Sequence, residues 1–139
     1  GDANGFPSTA TAQGAWDGKF ITTSNSPSDW LGNNQDNSLW QGVNGVNNPC
    51  PAGYRIPTET ELSNLNISST TDAFSTLKLP VAGARSSGTG ALGTVGSNGN
   101  CWSTTLSGAN ARHLYFVGSS GGIGIKPRAY GFSVRCLKD

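Results

Sequence analysis

Residues 97–139 read SNGNCWSTTLSGANARHLYFVGSSGGIGIKPRAYGFSVRCLKD, and this stretch decides the fold. Near its end Tyr130, Phe132, Val134 and Cys136 alternate with other residues at the period of a half-buried strand. Upstream, Leu114, Phe116 and Ala111 are expected on one side of a second strand, which leaves Arg112, His113, Tyr115 and Val117 for other faces. Ile123 and Ile125 carry a similar alternation beyond a turn read at Gly118-Ser119-Ser120-Gly121-Gly122. The pattern predicts strands joined by tight turns, with Leu114, Phe116, Phe132 and Val134 in the core. The final strand is expected to tie down the C-terminus.

The rest of the chain agrees with a loop-rich protein. With 20 glycines, no methionine and 12% charged residues, good helix formers are scarce and long helices are not expected. A length of 139 residues suits one domain with one core. The net charge of +1 gives no electrostatic footprint for nucleic acid, and no apolar run reaches the ~20 residues of a membrane span. No signal peptide is visible. The opening Gly1-Asp2-Ala3 suggests a piece of a longer protein.

Residues 1–18 are poor in large apolar side chains and are expected to form a loosely held arm before a domain spanning 19–139. Lys19 to Thr23 has strand character. In Pro57-Thr58-Glu59-Thr60-Glu61-Leu62, Thr58 and Glu61 have the spacing of a capping box, with Leu62 and Leu65 as the buried stripe of a short helix. A second short helix is expected from Thr71 or Asp72 to Leu77, ended by Pro80. Trp16, Trp30, Trp40 and Trp102 read as core anchors for long loops, an aromatic platform for sugar being the functional alternative.

Chemistry-bearing motifs are few. Gly88-Thr89-Gly90-Ala91-Leu92-Gly93 spells G-x-G-x-x-G, but the glycine-rich run after it cannot be the helix a dinucleotide site needs. Asn66-Ile67-Ser68 is a glycosylation sequon without an assigned role. His113 is the only histidine, and a Cys101–His113 nucleophile pair would lack an acidic orienter nearby. No metal site and no cofactor are expected, and a binding module is favoured over an enzyme. The cysteines, Cys50, Cys101 and Cys136, are an odd set. A Cys50–Cys136 bridge would close a long loop, where the entropic gain is large, against the alternative of two reduced buried thiols.

Several segments together resemble the Fibrobacter-type major paralogous domain, a variant of the C-type lectin fold. They are Asp29-Trp30, Leu39-Trp40-Gln41-Gly42-Val43, Asn47-Asn48-Pro49-Cys50-Pro51-Ala52-Gly53-Tyr54-Arg55-Ile56-Pro57-Thr58 and Gly131-Phe132-Ser133-Val134-Arg135-Cys136. The resemblance runs from about Lys19 to the end. It implies an α+β, C-type lectin-like fold: two short helices, small twisted antiparallel sheets and extensive ordered loops. It also implies that Cys50 and Cys136 pair. Two motifs depart from the family, which usually has Tyr-Trp-Ser-Ser-Thr at Cys101-Trp102-Ser103-Thr104-Thr105 and often Gly-Tyr-Arg at Gly83-Ala84-Arg85. The Glu-Pro-Asn and Trp-Asn-Asp runs that hold calcium and sugar in animal C-type lectins are missing, so calcium-dependent sugar binding does not carry over.

A narrower likeness concerns Asn110 to Val117 and Arg128 to Arg135, which look like the variable region of proteins diversified by retroelements. In such proteins adenines of a template are randomised, so asparagine codons yield many residues on a fixed scaffold. Against the template pattern His113, Tyr115, Val117 and Tyr130 stand where asparagine would be, with Gly122 and Gly124 alongside and Cys101 as a diversified tyrosine codon. The resemblance implies a variable region over about 98–130. Its expected ligand-binding positions are Cys101, Asn110, His113, Tyr115, Val117, Ser120, Gly122, Gly124 and Tyr130, sharing one exposed face. Tyrosine beside serine, glycine and asparagine is also the composition of an adaptable paratope.

The function expected is therefore recognition of a protein or cell-surface ligand by a viral or prokaryotic surface protein, located extracellularly or on a cell or virion surface. An exposed sheet face offers area rather than a closed pocket. A structural cell-envelope module of the same fold, without a dedicated site, is the alternative.

Overall fold

The computed structural model describes residues 2–4, 18–23, 25–31 and 35–139. In chain order the elements are β1 (Asp2–Asn4), β2 (Phe20–Thr22), β3 (Tyr54–Arg55), α1 (Glu59–Ser63), α2 (Thr70–Leu77), β4 (Ala84–Arg85), β5 (Leu92–Gly93), β6 (Asn98–Ser107), β7 (Asn110–Val117), β8 (Ser120–Pro127) and β9 (Leu137–Lys138). The architecture is α+β, with two short helices, small sheets and much ordered loop. Of the segment expected as a loose arm, Asp2–Asn4 pairs in parallel with β2. The rest of it, Trp16 included, lies outside the described residues.

The antiparallel meander β6-β7-β8 is the platform for everything else. Its turns begin at Gly108 and Gly118, whose positive φ of 58° and 51° suits a glycine-first, two-residue hairpin loop. The second turn is thus narrower than the sequence suggests, because Ser120 to Gly122 already belong to β8. The register sets Leu114 opposite Cys101 and Ile123, and Phe116 opposite Gly99 and Gly121. These face the helices, where Leu62, Ile67, Ala73 and Leu79 complete one cluster with Cys101, Leu114 and Phe116. Leu114 and Phe116 are each 1% exposed, as expected for the core. Gly99 leaves the space that the Phe116 ring fills, and a Cβ on Gly121 would stand 2.5 Å from the Ile67 carbonyl oxygen. Glycine at these two positions lets the helices settle onto the sheet.

The first helix is capped as the sequence reading has it, and the second begins at Thr70, one or two residues earlier than expected. Thr58 caps α1: its Oγ1 accepts from the Glu61 N–H at 3.2 Å, and the Thr58 N–H donates to Glu61 Oε2 at 2.8 Å. Arg55 clamps the same carboxylate with two bonds of 2.7 and 2.8 Å and reaches Asp139 at 2.7 Å. The arrangement ties α1 to the C-terminus and holds the Glu61 carboxyl down at about 2, chiefly through the Arg55 hydrogen bonds. Ser69 caps α2, which ends with Lys78 in the left-handed conformation ahead of Pro80. A disulfide joins Cys50 to Cys136, while Cys101 is free and buried.

The closing segment corrects one expectation. Residues 130–136 do not form a strand. They touch the sheets through single bridges, Arg85 to Gly131 and Cys101 to Ser133, before β9 pairs with β3. The alternation is real, but the side chains it gathers do not enter the helix-side core. Phe132 is half-buried against Trp102 and His113, and Val134 is 40% exposed. Ala111 is buried, yet by alternation it falls in the row of His113 rather than that of Leu114.

Candidate functional site

The sheet face opposite the helices carries most of the expected variable positions. Along β7 the alternate residues His113, Tyr115 and Val117 lie opposite Gly124, Gly122 and Ser120 of β8 and Trp102, Asn100 and Asn98 of β6. Arg128 to Ser133 crosses this face. The Phe132 ring centre is 4.5 Å from that of Trp102 and 4.8 Å from that of His113, and Tyr130 follows at 5.9 Å from Phe132. The Lys126 ammonium sits 5.2 Å from the centre of the Tyr130 ring, a cation–π contact that holds the tyrosine over β8.

The structure divides the predicted set. Tyr115 and Tyr130 are half-buried on the same side, Val117 and Ser120 are exposed beside them, and Gly122 is half-buried. A Cβ at Gly122 would meet the Tyr115 ring at an ordinary 3.6 Å, so this position has room for other side chains.

Four of the expected display positions fail. Cys101 is 2% exposed and faces the helix-side core, because it pairs with Leu114 rather than with a residue of the outer row. Burial pushes its thiol up to about 11, so it is an unreactive core thiol. His113 is on the expected face but only 4% exposed, enclosed by Trp102, Phe132 and Tyr115. Burial depresses its imidazole to about 4, with a smaller push from the charge of Lys126. Gly124 lies beneath that ring, and a Cβ there would come within 2.6 Å of His113 Cε1. Asn110 is half-buried and alternates onto the row of Arg112 and Leu114, at the far end of β7. Cys101 and His113 project from opposite faces of the sheet, so the nucleophile pair does not form.

A second feature was read in the sequence only as the alternative for its tryptophans, an aromatic platform. Trp30, Trp40 and Trp102, taken there as core anchors, are all half-exposed and converge on a pocket of about 250 Å³, with Arg128 and Ala111 in its wall. Arg128 and Asp29 stand behind it as an ion pair of 3.6 Å, each side chain 2% exposed. Burial raises the Asp29 carboxyl, against the backbone hydrogen bond from Leu31 and the charge of Arg128. Four tryptophans in so polar a chain were the available signal, because nothing local links Asp29 to Arg128.

Among the described residues no group of three or more histidine, cysteine or acidic side chains could hold a metal ion, and no helix is long and apolar enough to cross a membrane. No family model matches the chain, and neither a curated protein nor a solved structure matches it.

Proposed function

We propose that this chain is a ligand-recognition domain of C-type lectin-like architecture, the display end of a retroelement-diversified viral or prokaryotic surface protein. One observation carries the reading. The register of β7 and β8 gathers Tyr115, Val117, Ser120 and Gly122 on the face away from the helices, and Tyr130 is held over the same face by Lys126. Side chains there can change without touching the Leu114 and Phe116 core. A partly apolar tyrosine patch on a polar surface is the kind of area a protein or cell-surface ligand covers. The buried Cys101 and His113, Gly124 beneath the His113 ring, and the displaced Asn110 are left out of the contact set. The Cys50–Cys136 disulfide suits an oxidising, extracellular setting.

Sequencing this gene in closely related isolates tests the proposal. The codons of Tyr115, Val117, Ser120, Gly122 and Tyr130 should vary beside a template repeat and a reverse transcriptase gene, while those of Leu114 and Phe116 stay constant. Variation spread equally over both rows of β7 would refute it. At the protein level, changing Tyr115 and Tyr130 to Asn together should abolish binding to cells that the parent protein binds. Both tyrosines are half-buried, so stability should fall by about 1–3 kcal/mol while the fold is kept.

A further inference from the structure

The outer strand of the meander has an open edge. β8 lies at one side of the β6-β7-β8 sheet, and none of its residues is buried, whereas half of those in β7 are. Val117 pairs with Ser120 across the two-residue turn, so the hydrogen-bonded pairs with β7 fall at Ser120, Gly122, Gly124 and Lys126. The alternate residues Gly121, Ile123 and Ile125 therefore aim their N–H and C=O groups away from β7. None of these six groups has a hydrogen-bond partner among the described residues. The other side of the sheet is closed, because the β6 backbone bonds to Gly83, Pro57 and Ser133. Proteins commonly blunt a free edge with charge, proline or a bulge. Here Lys126 and Pro127 guard one end only, and the β7–β8 register runs without a bulge.

A pocket of about 330 Å³ adjoins this edge on the helix side. It is lined by the buried Leu62, Ile67 and Leu114, the exposed Ser63 and Ser68, and Ile123 of β8, with no charged side chain. Its size, at the lower end of the ~300–1,000 Å³ of ligand sites, suits one large apolar side chain. Ile123 itself packs against the helix-side core. Directly paired residues share a face, so a residue laid opposite Ile123 would send its side chain toward the pocket.

The groups left open select the occupant. Main-chain donors and acceptors repeating along a strand are matched by another extended main chain. A second copy of this chain is the poorer candidate. An edge about 26 Å long and ~10 Å high buries on the order of 500 Å² in all, against the ~1,200 Å² of a stable dimer. A two-fold pairing that used all three edge residues would also set Ile123 against Ile123, each engaged with its own core rather than free to fill a pocket.

We propose that β8 is a docking edge for an extended peptide segment of a partner protein. The segment adds antiparallel as a fourth strand and places one large apolar side chain in the pocket beside Ile123. The main chain supplies the affinity and the pocket the selectivity. This edge does not depend on the Tyr115 patch, which lies on the other face of the sheet.

A blocked seven-residue peptide of alternating threonine and valine, with phenylalanine at its centre, tests it by titration into the isotope-labelled protein. The amide resonances of Gly121, Ile123 and Ile125 should shift saturably below about 1 mM, and their hydrogen exchange should slow. Alanine in place of the phenylalanine should weaken binding about tenfold. N-methylation of the phenylalanine, whose N–H would face β8, should weaken it at least about tenfold, while N-methylation of a neighbouring threonine, whose N–H would face away, should change it by less than about twofold. Ile125→Pro removes one edge donor at a residue that is 45% exposed and makes no ladder bond to β7, so it should lose about tenfold in binding while the melting temperature holds. The proposal fails if no saturable shift appears at these amides, if the two N-methylations act alike, or if the three amides are already protected in the free monomer. A peptide-free dimer that protects the same amides would overturn it in favour of a second copy.

Discussion

Between pH 7 and pH 5 acidification should destabilise this domain chiefly through one residue, His113. Its ring is enclosed by Trp102, Phe132 and Tyr115, its Nδ1 has no hydrogen-bond partner among the described residues, and Lys126 is the charged group acting on it. Protonation would bury a cation with nothing to accept its proton. The imidazole titrates at about 4 when folded and at 6.5 in an ordinary setting, so between these values the unfolded chain binds a proton that the folded chain does not. Stability from this group is complete above pH 6.5 and is lost as pH falls toward 4. Between pH 7 and pH 5 the loss integrates to about 2 kcal/mol, at 1.36 kcal/mol per unit of pKa difference. The Asp29 carboxyl, raised by burial, acts in the opposite sense, since its contribution is present at low pH and fades as pH rises. Urea denaturation of the parent and of His113→Phe at pH 5, 6 and 7 isolates the histidine, because Asp29 contributes equally to both. The parent should lose about 2 kcal/mol more than the variant over this range. Parallel pH dependence in the two proteins would refute the reasoning and would mean that the ring is solvated, as a fully displayed position requires.

Other outcomes follow from the same packing. Thr58→Ala should cost about 1 kcal/mol in equilibrium denaturation, because the side-chain half of the α1 capping box is lost. Reducing Cys50–Cys136, which closes a span of 86 residues, should lower stability by about 2–5 kcal/mol, and non-reduced peptide mapping should find Cys101 outside the bridge. Gly121→Ala should be destabilising by about 1–3 kcal/mol, since its Cβ meets the Ile67 backbone, whereas Gly122→Ala should stay within about 0.5 kcal/mol. Equal melting temperatures for these two variants would place β8 in another register.

The sequence by itself determined much of the local structure and the Leu114/Phe116 half of the expected core. The Thr58–Glu61 capping box, the second helix ending before Pro80, the glycine turn after Val117 and the Leu114/Phe116 stripe are all short-range patterns, and each has its cause within a few residues. The pairing of Cys50 with Cys136 was legible through resemblance. Only the tertiary structure decided which of two faces a strand residue meets, and whether anything covers that face. Cys101 went to the core because a residue on β6 takes the side of its β7 partner, and here that partner is Leu114. His113 kept its expected face but lost its exposure, because Phe132 left the predicted closing strand and lay down on the ring. The tryptophan pocket was likewise out of reach. Its walls come from Trp30, Trp40, Trp102 and Arg128, far apart along the chain, and alternation along one strand says nothing about which distant loops will meet across it.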